Sequence, residues 1–391
     1  MGDSNRTQLY YVAETSWGIG AAGTKLSTLR FTGESFSYGL TTIKSQEIRS
    51  DRQTPDLILT DAEATGDANY ELSFTTYDDF MKAALYASAW STAVNVTSTQ
   101  ISAVASTNSY DSTAVNFVTS NIVAGQWIKV AGFTTTTNNG YAMISTVATN
   151  SIVVVAGLTL SDEPVSDSIT MKGTMIRNGT TETSFAIERQ HVDITQFFAF
   201  IGMVPNSFSL SASAGEIVTG TFGFMGKSCT LAAATTGDGS PTAATSTDVM
   251  NAVTNVGQVM EGSTLELLSG VYFQSLDFTL NNAIRPQKAI GSLGAVDLGV
   301  GAIDLTGTVN AYFTDNALYD KFLANTASAL SMKFQDAAGN AYIFTFPKMK
   351  FSSDAINAGG IDQDVMENLG WTALRHPTYD CMIQVDKFAI A

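Results

Sequence analysis

Two stretches about 245 residues apart carry nearly the same succession of residues, and an internal repeat restricts fold and assembly more than any single motif. The first runs from Leu29-Arg30-Phe31-Thr32 to Ile43-Lys44-Ser45, the second from Leu276-Asp277-Phe278-Thr279 to Ile290-Gly291-Ser292. With short gaps, Thr65-Gly66 and Asn69 fall on Thr306-Gly307 and Asn310, and Tyr77-Asp78-Asp79-Phe80-Met81 falls on Tyr319-Asp320-Lys321-Phe322-Leu323. Phe198-Ala199-Phe200 with Met203 matches Phe344-Thr345-Phe346 with Met349, and Phe222-Gly223-Phe224 matches Leu369-Gly370-Trp371. The expectation is one β-rich module present twice.

Within the first copy, residues 29 to 43 and 68 to 75 alternate as half-buried strands do, with Leu29, Phe31, Tyr70, Leu72 and Phe74 on one side. Between them Gln46 to Gly66 reads as a long exposed loop. Its Arg49, Asp51, Arg52, Asp56 and Asp61 mix both charge signs, which suits contact with another subunit as well as it suits a solvated hairpin.

Tyr77, Phe80, Met81, Ala84 and Leu85 follow helical spacing, with Thr75 or Thr76 as N-cap. The second copy offers Asp315 or Thr314 as cap and Leu318, Phe322 and Leu323 as inner residues. Both helices are read as covers for a sheet, and their aromatic side chains as core.

The copies differ after the helix. In the second a strand near Leu330 to Phe334 follows at once, whereas in the first its counterpart near Ser184 to Glu188 waits for an insertion. That segment, 91–179, has its own strand candidates at Val94 to Val96, Val115 to Val118, Trp127 to Val130, Ala142 to Val147 and Ile152 to Val155. Residues 231 onward lack periodicity and read as a loose linker. The chain thus divides into a first module at 1–90 and 180–230, an inserted β domain at 91–179, a linker at 231–254 and a second module at 255–391. The fold class is mainly β: two tandem sandwich or barrel modules, each with a flanking helix, plus a small β domain.

Charged residues make up only 14% of the chain, and the formal net charge is -16. A nucleic-acid binder gains affinity from clustered Lys and Arg, and no basic stripe exists here. An acidic wall can still serve beside DNA by repelling it. Cys229 and Cys381 are the only cysteines, and they read as free thiols of a chain folded in a reducing cytoplasm. No apolar run reaches the length of a membrane span.

His191 and His376 stand far apart without metal-ligand spacing, and neither a nucleophile elbow nor a phosphate-binding glycine fingerprint is present. No cofactor, metal or catalytic set is expected, and the chain reads as no enzyme.

The opening Tyr11-Val12-Ala13-Glu14-Thr15-Ser16-Trp17-Gly18, the strand Leu29-Arg30-Phe31-Thr32-Gly33, the run Ser45-Gln46-Glu47-Ile48-Arg49-Ser50-Asp51-Arg52 and the segment Tyr70-Glu71-Leu72-Ser73 to Leu85 resemble major tail tube proteins of long-tailed bacteriophages. The resemblance is dense over 10–90 and extends to 183–226. The Glu-Ile-Arg-Ser-Asp-Arg run has no counterpart after Ser292. It implies a virion protein that stacks in rings around the channel for genome ejection, assembled in the host cytoplasm and capped by other tail proteins. Its inner sheets would join between subunits into one barrel, and double-stranded DNA would pass an acidic lumen without specific binding. Single-module relatives form six-fold rings, so a double module implies a pseudo-hexameric trimer. Six chains with a decorative second copy is the alternative. A decoration protein or carbohydrate-binding adhesin is a different class that the same β composition allows.

Overall fold

The computed structural model describes residues 2–252, 256–261, 266–267 and 272–390. Residues 253–255, where the expected linker ends and the second module begins, lie outside the described residues, as does the terminal residue 391. Alternating apolar and polar residues fold the chain into antiparallel strands. The first region contains β1 (Thr7–Ala13), β2 (Ser27–Leu29), β3 (Gly33–Glu34), β4 (Ser37–Lys44), β5 (Leu57–Glu71) and helix α1 (Asp78–Ala84). An excursion follows through β6 (Val94–Ser98), β7 (Ile101–Val104), β8 (Ser109–Ser112), β9 (Trp127–Ala131), β10 (Gly140–Val147), β11 (Ser151–Ala156) and β12 (Ile169–Arg177). The chain returns through β13 (Phe185–His191), β14 (Gln196–Ser213), β15 (Thr219–Gly226) and β16 (Ser228–Ala232). The second region comprises β17 (Val256–Glu261), β18 (Glu266–Leu267), β19 (Phe273–Asn281), β20 (Arg285–Lys288), β21 (Ala295–Gly299), β22 (Asp304–Tyr312), α2 (Ala317–Leu323), β23 (Ser328–Gln335), β24 (Ala341–Ala358), β25 (Val365–Ala373) and β26 (Gln384–Phe388).

An inner sheet runs in the order β4, β5, β15, β14, β19, β22, β25, β24, with β3 continuing the line of β4 along β5. The order β4-β5-β15-β14 therefore recurs as β19-β22-β25-β24. The two long strands β14 and β24 leave the inner sheet at their N-terminal halves and enter outer sheets, β1-β13-β14-β16 and β17-β23-β24-β26.

Irregularities recur as well. Pro205 and Ser207 face Phe224 and Gly223 across a β-bulge, and Phe351 and Ser353 face Trp371 and Gly370 in the same way. Phe185 and Ile187 against Met203 and Phe200 repeat as Ser328 and Leu330 against Met349 and Phe346.

The ladders correct one expectation. Ser37 faces Thr65, whose counterpart Thr306 faces Thr279, so Phe36 and not Phe31 corresponds to Phe278. Ring contacts agree: Phe36 lies 5.5 Å from Phe200, and Phe278 lies 5.2 Å from the equivalent Phe346. The matching letters at Leu29 mislead because β2 leaves the inner sheet to pair with β1.

The two helices also align differently from their letters. Tyr86 and Asn325, both at positive φ, end them at equivalent places, so Phe80 corresponds to Tyr319. Their N-caps are Tyr77 and Asn316, and neither caps through its side chain. Thr76 instead bonds to Ser73, and Asp315 Oδ1 accepts from the Ala317 amide at 2.8 Å.

One large core fills the space between inner and outer sheets and runs through both regions, from Phe80 and Phe222 through Phe208 and Phe278 to Phe344 and Trp371. Phe208 stacks on Phe222 at 4.9 Å and meets Phe278 edge-on at 5.3 Å. Helix α1 is held at both ends by the second region. Asp78 accepts from Lys387 Nζ at 2.6 Å and from the Tyr342 hydroxyl, while Asn282 Nδ2 donates to Ala84 O at 2.9 Å.

The described part of the segment read as a loose linker is strapped down. Buried Glu188 accepts from the Thr236 amide at 2.7 Å and the Thr235 hydroxyl, and Thr28 N donates to Thr242 O at 2.9 Å. The copies consequently share a sheet and a core, where a loose connection would have left them side by side.

The excursion forms a sheet ordered β6-β12-β9-β10-β11-β8-β7 with its own core. The strand expected at Val115 to Val118 lies instead at Ser109–Ser112, and Val118–Ser120 is a 3-10 turn behind buried Phe117. Its last strand, β12, continues onto β26. Trp127, Met143 and Ala156 pack on Ala329, Ala341 and Ile343. Because Tyr342 and Phe344 face the main core, this contact lies on the outward side of the outer sheet.

Candidate assembly surface and channel face

Strand alternation gives the inner sheet two unlike faces. One carries Tyr70, Phe222, Leu210, Phe278, Leu305, Leu369 and Phe351 into the core. The other is polar in continuous rows. One row reads Gly33, Asn69, Thr221, Ser209, Thr279, Thr306, Thr372, Lys350 from β3 across β5 to β24. The next reads Glu71, Thr219, Ser211, Asp277, Thr308, Gly370, Ser353. A third brings Asp67, Gly223, Ser207, Asn281 and Asp304 together. Short side chains bond across strands: Thr221 Oγ1 donates to Asn69 Oδ1 at 2.8 Å, and the Thr308 amide and hydroxyl both donate to Asp277. These rows hold four carboxylates and one ammonium, so the face carries net negative charge without any arginine.

Both ends of this sheet are open among the described residues. Strand β4 pairs only with β5, and Phe351–Ala358 of β24 pairs only with β25. Exposed aliphatic side chains gather there, Leu40, Ile43, Leu57, Ile58 and Leu59 at one end, Ile356, Ile361 and Val365 at the other. Such edges are templates for another strand.

The β24 edge also conceals acids. Asp354 and Glu367 sit on one face of neighbouring strands, both oxygens of Asp354 and Oε1 of Glu367 being buried without a hydrogen-bond partner. Burial, then the Asp354 carboxyl and the charge of Asp315, pushes Glu367 up to about 7, and burial raises Asp354.

The charged residues expected in a loop divide between two places. Arg49 pairs with Asp51 at 2.8 Å, Arg52 adopts positive φ, and Asp56 Oδ1 accepts from the Leu57 amide at 2.7 Å, all in the tip at 45–56. Asp61 is in strand β5, which starts at Leu57, and forms an ion pair with Lys288 of β20. The loop is therefore shorter than Gln46 to Gly66, and β4 and β5 extend it as a projecting hairpin. Tyr77, Phe80, Met81 and Leu85 are buried. Leu318 is buried and Phe322 half-buried, but Leu323, expected in the core, is 63% exposed. It occupies the place of buried Ala84, which the second region covers and for which α2 has no cover among the described residues.

The sequence signal for the polar rows is the strict alternation of Ser207-Phe208-Ser209-Leu210-Ser211-Ala212-Ser213. Among the described residues no group of three His, Cys, Asp or Glu is placed to hold a metal, and no helix is long and apolar enough to cross a membrane. A sheet with one polar face, one core face and two edges open among the described residues is the architecture of a structural β protein. The profile of the family described as phage tail tube protein matches residues 4–373, and the chain belongs to that family. No curated protein matches the sequence.

Proposed function

We propose that three copies of this chain close a ring by joining β24 of each to β4 of the next, and that stacked rings form the conduit through which phage DNA leaves for the host. The observation that carries this reading is the seam between β14 and β19. There the chain already joins two equivalent four-stranded sheets, Ser207 facing Asn281 and Ser213 facing Ser275. Repeating that operation places β4 of a neighbour on the open half of β24. It is a head-to-tail contact, and such contacts close into rings when the rotation permits. Eight strands alone enclose only side chains, whereas about twenty-four leave a wide aqueous bore.

The two regions act as tandem tube modules, 1–90 with 180–230 and 255–391, joined through 231–254. The domain at 91–179, docked on the outward side, decorates the wall. The same operation brings Leu323 against Leu40 of the neighbour, since Asn282 meets Ala84 within the chain. It leaves the hairpin tip with Arg49, Asp51, Arg52 and Asp56 free to contact an adjacent ring or another tail protein at the tube end. With the polar rows lining the bore, Asp67, Glu71, Asp277 and Asp304 repel phosphates, and the lack of arginine avoids the contacts that hold DNA.

Electron microscopy of the purified chain at rising concentration, with end-on averages, tests this. Hollow tubes with three chains per ring are expected. Six chains around one bore would overturn the double-module reading, and compact particles without a channel would favour a decoration or adhesin protein.

A further inference from the structure

The two halves of the inner sheet differ at one point that controls access to the docking edge. Within the seam, Ala214 N donates to Gln274 O and Asn282 N donates to Asn206 O, both at 2.8 Å. Even-numbered residues of β19 thus turn their backbone groups toward β14, Phe278 lying opposite Leu210. The counterpart of Phe278 is Phe36, and its backbone groups should point to the open edge. They do, but they are occupied. The Phe36 amide donates to Glu34 Oε2 at 2.9 Å, and Arg189 Nη1 donates to Phe36 O at 3.0 Å. The same guanidinium nitrogen reaches Glu34 Oε1 at 3.0 Å, and Arg189 is stacked over Phe198 at 4.7 Å.

In the permanent seam these charged residues have apolar counterparts. Glu34 corresponds to Leu276, and Arg189, facing Phe198, corresponds to Met332, facing Phe344. Both are buried. We propose that the Glu34–Arg189 pair is a guard that satisfies the docking edge in the free chain and must swing aside before the neighbour's β24 can pair there. Resting on the ring reading above, this names the contact that holds free chains apart. In the joined state Ile356 of the next copy, counterpart of Leu210, takes over both hydrogen bonds of Phe36. Charge-assisted bonds such as those in the guard are stronger than the neutral ladder bonds that replace them. Free chains accordingly accumulate until a preformed end or a high concentration displaces the guard.

The test compares the full chain with its Glu34→Leu/Arg189→Met variant, each also carrying Ser37→Cys and Ala355→Cys. Positions 37 and 355 stand opposite in the seam register, on the exposed polar face. Their oxidative cross-link between chains reports the seam and not the guard. The charge-free variant is expected to polymerise at a critical concentration about tenfold lower. In hydrogen exchange, the Phe36 amide should be protected in free wild-type chain and unprotected in the free variant. Cross-linking with an unchanged or higher critical concentration overturns the guard alone. Assemblies without the 37 to 355 link overturn the seam, and the guard with it. If the double variant does not fold, Glu34→Gln serves, with a smaller shift in the same direction. Rapid exchange of the Phe36 amide in free wild-type chain overturns the guard regardless of any variant.

Discussion

In the ring proposed above, the seam between β14 and β19 and the contact between the two open edges of the inner sheet are the same kind of junction, one made within the chain and the other left for a neighbour. Three of the core-facing positions differ in the same direction. Where the seam has Leu276, Met332 and Phe208, the edges have Glu34, Arg189 and Asp354. A permanent junction maximises buried apolar area, whereas an edge that must stay soluble before assembly carries charge. The most direct way to break this comparison is one substitution at equivalent places. Leu210→Pro removes a buried side chain and a ladder donor, and should cost more than about 3 kcal/mol in denaturant unfolding. Ile356→Pro at the open edge removes no ladder bond within the chain. It should leave the melting temperature nearly unchanged and abolish ring closure in sedimentation. Equal destabilisation by both would show that the β24 edge is not free.

A second junction sharpens the contrast because it is permanent and apolar yet holds one buried carboxyl. The inserted domain meets the second region through buried Asp386, which accepts from the Trp127 amide at 3.2 Å and from Gln384 Nε2 at 2.6 Å. Burial pushes its carboxyl from 3.8 to about 8, although Gln384, Trp127 and Arg177 oppose the shift. The native state therefore keeps a proton that the unfolded chain has released, and stability is lost as pH rises from about 4 to about 8. Asp386→Ala should cost about 1–3 kcal/mol at pH 5 by stranding two donors. Its loss of stability between pH 5 and pH 8 should be smaller than that of wild type, as thermal melts at the two values will show.

The β class and the first helix were legible in the sequence because each leaves a period that letters preserve, and the letters shared by the two regions pointed to the strand order that recurs between them. Phe80, Met81 and Leu85 sit where helical spacing puts them. What stayed illegible depended on pairing between distant strands. The letters Leu29 to Thr32 match Leu276 to Thr279, yet β2 belongs to another sheet, and only the ladder through Thr65 shows that Phe36 is the counterpart. Glu34 and Arg189 lie 155 residues apart and carry no local pattern. The polar face was written in the alternation of Ser207 to Ser213, but which side of a strand faces away from the core follows only from its neighbours.

The acid pair at the β24 edge is a smaller, pH-selective probe. With Glu367 raised from 4.5 to about 7, its contribution is fully present below about pH 4.5 and lost as pH climbs through 7. Glu367→Gln places a permanent amide donor beside Asp354, imitating the protonated acid. Melts should coincide with wild type near pH 4.5 and lie above it at pH 8. The pH slope should diminish without vanishing, because Asp386 titrates in an overlapping range. A variant less stable than wild type at pH 8 would mean that ionised Glu367 has a stabilising partner of its own.

The weakest perturbation of the free chain is the most selective for the comparison. Leu323 is exposed on α2 where Ala84 is buried on α1, and nothing among the described residues covers it. If a neighbour's Leu40 covers it in the ring, Leu323→Ser changes the unfolding free energy of the unassembled chain by no more than about 0.5 kcal/mol. It then weakens assembly by the loss of one buried leucine at each of three junctions. Leu40→Ser should act alike, and the double variant should be hardly worse than either single one, since contacting residues are not additive. Additive effects of the two on the critical concentration would place them in separate contacts and shift the register of the seam away from the one that the chain uses internally.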